Sequence, residues 1–164
     1  MSNCIECSEC KNVVSEEVIF HIDDLPVCRS CLFGPVEPVN IYPIGFVHNN
    51  QWRDEESFGL QNEENISKIV LLSSQKRFMY KLEEESKLTI VYFLHKSQAI
   101  RSKFKRGLDG KEVGVFASRT PDRLSPIGIQ NVELKKIHDT IIFVEGLDAI
   151  NHTPVLDIKL CWEK

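Results

Sequence analysis

Four cysteines carry the clearest chemistry in this chain. Cys7 with Cys10, and Cys28 with Cys31, form two Cys-x2-Cys pairs separated by seventeen residues. Each pair presents two thiolates on one tight turn, and two such turns complete a tetrahedral zinc site. Between them, "EEVIFHI" reads as a strand and "DDLP" as a turn, which predicts the hairpin of a zinc ribbon. So short a module has almost no apolar core, so a structural Zn2+ would supply most of its folding energy. Cys4 and Cys7 offer a shifted pair, but Cys4 lies closer to a fraying terminus, so Cys7, Cys10, Cys28 and Cys31 are the preferred ligands. An iron–sulfur cluster is the weaker rival, because the Cys4-Cys7-Cys10 run lacks the further cysteine and proline of a ferredoxin. His21 reads as a half-buried strand residue, and Cys161, in "DIKLCW", as a buried apolar one.

Three further windows hold unusual residues. "GVFASRTPDRLSPIGIQ" (114–130) places Arg119, Arg123, two prolines and two glycines in one window, whereas an ordinary hairpin turn needs two to five residues and no pair of arginines. Gly114 and Gly128 would permit close backbone approach, and Pro121 and Pro126 would stiffen the loop. The arginines either clamp a carboxylate, a phosphate or the edge of an adenine-bearing ligand, or are solvated or paired with Asp122 and a neighbour. "GLDAINHTPVLDIK" (146–159) contains a turn, "NHTP", flanked by Asp148 and Asp157. Asp157 lies within an apolar run and needs a hydrogen bond or a cation there, or else ties down the adjoining loop. "KSQAIRSKFKRG" (96–107) gathers Lys96, Arg101, Lys103, Lys105 and Arg106 around Phe104. That composition suits phosphate contact with base stacking, and equally a solvated connection.

These windows need a frame. "FGPVEPVN" (33–40) reads as a linker, dividing a metal module at 1–34 from a main domain at 41–164. Apolar, β-branched runs at 41–48, 66–72, 88–95, 113–118, 127–137, 140–147 and 154–162 predict strands. "SSQKRFMYKLEEE" (73–85) predicts a helix, with Ser73 or Ser74 as cap and Phe78 and Leu82 on one face. Strands dominate without alternating helices, so the fold class is mainly β, a small β-barrel preceded by the zinc-ribbon-like module. The 164 residues are 42% hydrophobic and 27% charged, as in a globular protein, and the net charge of −4 leaves no global field to attract nucleic acid. No G-x-G-x-x-G follows a strand, which argues against the usual dinucleotide site. No apolar run approaches the ~20 residues of a membrane span, and "MSNCIECSEC" is no signal peptide, so the expectation is a cytoplasmic protein without a membrane partner.

"GVFASRTPDRLSPIG" and "GLDAINHTPVLDIK" resemble the two hallmarks of the TrmO (TsaA-like) tRNA methyltransferases, GVFATRSxxRPNPIG and GLDxxDGTPVxDIKPY. Upstream, "IYPIGFVHNN" is similar to the family's IGxVxSP opening, and "YFLHK" (92–96) to its strand ending in Phe-His. The resemblance covers residues 41–162 in order. It implies a β-barrel methyltransferase that uses S-adenosylmethionine, forms a homodimer and acts on tRNA. The implied reaction is N6-methylation of threonylcarbamoyladenosine beside the anticodon. The implied cofactor contacts fall on His95, Lys96, Arg119, Asn131, Asn151, His152, Thr153 and Pro154. The family's early Pro-Arg-Gln loop has only "FGLQ" (58–61) nearby. Two departures stand out: RPNP has become Arg123-Leu124-Ser125-Pro126, and DGTP has become Asn151-His152-Thr153-Pro154.

Methyl transfer from a sulfonium needs alignment and a water-poor site, and a base that takes the N6 proton would help a poor nucleophile. His95 is the leading base, and His152 a second one peculiar to this chain. Arg101, Lys103, Lys105, Arg106 and Arg123 are the expected RNA contacts. The alternative is a non-catalytic RNA- or protein-binding module that keeps the barrel and the ribbon.

Overall fold

A computed structural model describes residues 3–49, 66–97, 99–107 and 109–162, and the "FGLQ" segment lies outside them. In chain order the first strands are β1 (Cys4–Glu6), β2 (Val13–Ser15), β3 (Ile19–Ile22) and β4 (Leu25–Cys28), followed by a short helix α1 (Arg29–Phe33). Then come β5 (Gly45–His48), β6 (Ile66–Leu71), β7 (Lys87–Phe93), β8 (Lys103–Lys105) and β9 (Glu112–Gly114). The last three are β10 (Ile127–His138), β11 (Ile141–Glu145) and β12 (Pro154–Leu160).

Six of these strands close into an antiparallel barrel in the order β10-β11-β6-β5-β12-β7. Alternation at period two explains why. Ser67, Ile69 and Leu71 of β6, Leu88, Ile90 and Tyr92 of β7, and Ile142 and Val144 of β11 are all buried, while their neighbours face out. Closure removes every free edge, and in a barrel this small side chains fill the interior. Chemistry is therefore left to the rims and loops. Two glycines let the wall close. A Cβ on Gly45 would sit 2.4 Å from the Val70 carbonyl oxygen, and one on Gly128 would sit 2.4 Å from the Tyr92 ring. Among the described residues, and its chain neighbours aside, Gly114 has no other protein atom within 4 Å of where its Cβ would lie.

The chain falls into two compact units, Ile41–His95 with Ile127–Lys164, and Met1–Asn40 with Lys96–Pro126. The first of these is the barrel. The second differs from the division expected at residues 34 and 41, because segment 96–126 groups with the metal module. The physical reason is a set of contacts at the tip of the β3–β4 hairpin. Ile22 forms a parallel bridge with Ile100, and the Asp23 N–H donates to the Ile100 carbonyl at 3.0 Å. Within segment 96–126, β8 pairs with β9, and the run expected as a strand over 113–118 turns into a 3-10 segment at Val115–Ala117.

The helix expected over 73–85 is absent. Two 3-10 segments, Ser73–Phe78 and Leu82–Glu84, replace it, with Leu72 rather than a serine as first cap and no capping side chain. Lys81 at φ 62° breaks the helical path between them. Burial also follows Met79, at 8% exposure, whereas Phe78 is 75% exposed. A single buried residue over this stretch gives a helix no continuous apolar face. No helix is long and apolar enough to cross a membrane among the described residues.

Candidate functional site

The metal module brings the Sγ atoms of Cys7, Cys10, Cys28 and Cys31 within 4.8 Å of one another. Cys7 and Cys31 lie 3.9 Å apart, as do Cys10 and Cys28. A tetrahedron with Zn–S bonds of about 2.3 Å has edges of about 3.8 Å, so the four sulfurs fit zinc. The sequence explains the convergence. Cys7 begins a turn closed by the Lys11 N–H to the Cys7 carbonyl, 3.0 Å, with Lys11 itself at φ 63°. Cys28 ends β4, and α1 then carries Cys31 round to face it. The Cys28 N–H donates to the Cys7 sulfur at 3.3 Å. Backbone N–H groups of Cys10 and Cys28 pull the Cys7 thiol down to about 6, whereas hydrogen bonds from Cys28 and Cys10 push Cys31 up to about 12. Four thiols this close cannot all ionise without a cation among them. Cys4 pairs with Ser15 in β1–β2 and stands outside the sulfur cluster. His21 is also outside it and is exposed rather than half-buried, and Cys161 is half-buried rather than buried.

The two arginines of the second window have opposite roles. The Arg123 guanidinium donates to the carbonyls of Thr120 (2.9 Å), Val115 (3.2 Å) and Ser118 (2.6 Å). It is a bracket that holds the loop's own backbone, and those donors are not available to RNA. Arg119 is exposed and has no protein partner among the described residues. The bracketed loop thus presents Arg119 outward. Phe116, three residues earlier, is 84% exposed, and the sequence does not mark it because it reads as part of a strand.

In the barrel, the turn Asn151-His152-Thr153-Pro154 enters β12. Pro154 has no N–H, so its neighbours continue the pairing with β5: His152 N–H to Val47 O at 2.7 Å, and Val47 N–H to Thr153 O at 2.9 Å. His152 adopts φ 64°, the left-handed conformation that glycine takes freely, so the turn keeps its course with a bulkier residue. Its ring lies edge to face on His48, with centroids 5.2 Å apart. Asn49 anchors the turn, donating through Nδ2 to Ser67 Oγ (2.9 Å) and the Ala149 carbonyl (2.8 Å), while its N–H donates to Asn151 Oδ1 (3.2 Å). Gln130 donates to the Gly146 carbonyl and accepts the Asp148 N–H at 2.8 Å, and Tyr92 Oη donates to the Asp148 carbonyl at 3.1 Å. Gln130 on β10, Tyr92 on β7 and Asn49 just after β5 hold the loop. Nothing local marks them, because their partners lie 16 to 102 residues away. Asp157 sits at a bulge in β12, bonds the Ile158 N–H at 2.9 Å and pairs with Lys159, so it is structural.

The remaining expected residues divide between the units. His95 follows β7 in the barrel, half-buried, with its N–H bonded to the Phe93 carbonyl at 2.8 Å. Asn131 on β10 accepts the Thr89 hydroxyl at 2.7 Å. Lys96 belongs with segment 96–126 and is exposed. Of the basic residues there, Arg101 pairs with Asp122 (3.4 Å), Lys103 with Glu112 (3.3 Å), and Arg106 with Asp109. Lys105 has no ion-pair partner among the described residues. Phe104 is half-buried opposite Val113, so Phe116 is the more open aromatic side chain.

The model of the tRNA-methyltransferase O N-terminal domain matches residues 54–164. The chain belongs to the TrmO family. A mouse tRNA (adenine(37)-N6)-methyltransferase is 38% identical over 81 residues, which is 48% of this chain and 19% of that protein. A probable S-adenosyl-L-methionine-binding protein of Methanocaldococcus jannaschii is 31% identical over 111 residues, 64% of this chain and 88% of that one. The crystal structure of TrmO from Pseudomonas aeruginosa superposes with a TM-score of 0.59 at 23% identity, covering 76% of this chain and 56% of that chain. The matched segment spans about a fifth of the mammalian relatives it resembles. Five of the six barrel strands lie within the matched residues, while β5 and the cluster of four cysteines precede them.

Proposed function

We propose that this chain is an S-adenosylmethionine-dependent tRNA methyltransferase that methylates N6 of adenosine 37, with threonylcarbamoyladenosine as the substrate form. Membership of the TrmO family carries the reading, and the names of its relatives support the cofactor and the tRNA. Two features, each within its own unit, support the cofactor reading: a guanidinium at Arg119 with no partner among the described residues, and a turn at Asn151–Pro154 whose backbone is fixed by Asn49 and Val47. When bound, S-adenosylmethionine supplies an electrophilic methyl group on a sulfonium.

The chain's own residues then have separate tasks. Arg119 holds a carboxylate or phosphate with charge-assisted bonds. Asn131, Thr153 and Pro154, with Lys96, are proposed as further cofactor contacts. His95, or His152, takes the N6 proton at an imidazole nitrogen, which the acylated amine gives up reluctantly. Segment 96–112 has six basic and two acidic side chains, so it remains positive despite its ion pairs and suits phosphate contact. Cys7, Cys10, Cys28 and Cys31 are proposed to hold one structural Zn2+. A homodimer is proposed as the working form.

The deciding experiment compares tRNA bearing threonylcarbamoyladenosine with the same tRNA lacking it, using labelled S-adenosylmethionine. Methyl transfer to the first alone is the expected result, falling with added salt. Cofactor binding without transfer to either would overturn the substrate. No cofactor binding would favour the binding-module alternative, with His152 in the turn as the first residue to examine.

A further inference from the structure

The β3–β4 hairpin is joined by Asp23 and Asp24 alone, at φ 49° and 66°. Positive φ at both central residues is a primed turn, which Asn-Gly makes with least strain. A second aspartate in place of glycine serves the turn poorly. Asp23, however, reaches out of the hairpin. Its Oδ1 accepts the Ser102 N–H at 3.0 Å, and its Oδ2 accepts the Ser102 hydroxyl. Its own N–H donates to the Ile100 carbonyl, beside the Ile22–Ile100 bridge. The grip extends along the segment. The Ser102 carbonyl accepts the Val115 N–H at 3.0 Å, and Val115 opens the 3-10 segment that leads to Arg119. Arg101 donates its N–H to the Asp122 carbonyl at 3.4 Å, and the Ser97 hydroxyl donates to the Pro121 carbonyl at 2.9 Å. At the other end of the hairpin, β4 finishes on the sulfur ligand Cys28. The Ser102 hydroxyl, and then its N–H, also hold the Asp23 carboxyl below the usual carboxylate range, so the grip is present at neutral pH.

We propose that Asp23 is a positioning residue through which the metal-bound hairpin fixes residues 100–102, and with them the loop that carries Arg119. The metal would then govern cofactor binding without taking part in the chemistry, and metal loss would release the loop. The link to cofactor rests on the reading of Arg119 proposed above, whereas the grip on Ser102 does not.

Asp23→Gly separates the two roles of this residue, because glycine takes positive φ freely and only the carboxylate is lost. Metal content, amide exchange and S-adenosylmethionine affinity are measured on the full chain. The expected result is unchanged metal content and unchanged protection in β3–β4, with exchange at the Ser102 and Val115 amides at least about fivefold faster. Chelating the metal from the unaltered protein should loosen the same amides, and Ser102→Ala should do so to a smaller degree. S-adenosylmethionine affinity should fall at least about threefold in Asp23→Gly. Unchanged exchange at Ser102 and Val115 overturns the proposal, as does loosening of β3–β4 together with them, which would make Asp23 a turn residue only. If the unaltered protein binds no S-adenosylmethionine, the reading of Arg119 fails while the exchange measurement still decides the grip.

Discussion

At the scale of single residues, two side chains of one type in one loop do different work. Arg123 donates to three backbone carbonyls, and Arg119 to none of the described residues. Arg123→Ala should therefore destabilise its unit by about 1–3 kcal/mol, measured by chemical denaturation, since three carbonyls lose their donor. Arg119→Ala should leave stability within about 0.5 kcal/mol. Its S-adenosylmethionine affinity should fall by about 1.5–3 kcal/mol in a calorimetric titration, the worth of a hydrogen bond to a charged group. Equal stability losses in both variants would remove the distinction. Gly128 makes a similar case. A methyl there would meet the Tyr92 ring at 2.4 Å, and Tyr92 is the side chain that bonds the Asp148 carbonyl. Gly128→Ala should cost about 1–3 kcal/mol in thermal unfolding, by forcing the ring out of place and loosening the loop before the Asn151 turn. The motif "PIG" showed that a glycine stands here, but not which ring covers it, because Tyr92 is brought opposite only by the β7–β10 pairing.

At the scale of elements, the metal module and the barrel are held by different forces. The module's hairpins are short and its buried apolar residues few, Cys7, Val27 and Cys28 among them, so the metal proposed for its four cysteines would supply most of its stability. The barrel closes over its own core of Val47, Ile69, Leu88, Ile90, Ile142 and Val155. Cys28→Ser should abolish metal binding, which is expected at about one zinc per chain by elemental analysis. Amide protection should then vanish over 3–40 and persist at Ile90 and Ile142. Loss of protection in both places would mean that the barrel depends on the metal.

At the scale of the whole molecule, the shifted charges set the response to pH. Asp23, Asp109, Glu133 and Asp139 are held below their ordinary values by hydrogen bonds from Ser102, Arg106, Lys135 and Lys76, respectively. Each adds stability that is complete above its unfolded value of about 4 and is lost as pH falls through the lower folded value. Lys135 is raised by Glu145 and Glu133, so its contribution is complete below about 10.5 and disappears as pH rises through the folded value. Thermal midpoints should therefore be nearly flat between about pH 6 and 9 and fall below about pH 4. Protons should displace the metal from its four thiolates before that fall, as a metal-binding dye would show. A midpoint that rises on acidification would contradict these assignments.

The sequence by itself determined what is local. Apolar, β-branched runs placed six barrel strands within a few residues of their ends. Cys-x2-Cys spacing selected the four sulfurs, and two motif windows pointed to the family that the comparison then showed. Tertiary structure decided what depends on distant partners. Asp23 and Ser102 are 79 residues apart and Asn49 and Ala149 are 100 apart, so no local pattern could reveal the grip on segment 96–126 or the anchor of the turn. The helix expected at 73–85 failed for the same reason: its spacing was helical, but burial fell on Met79 alone. Residue types and spacing fix which backbone conformations and ligand sets are available. The partners that hydrogen bonds and packing select exist only once the chain has folded.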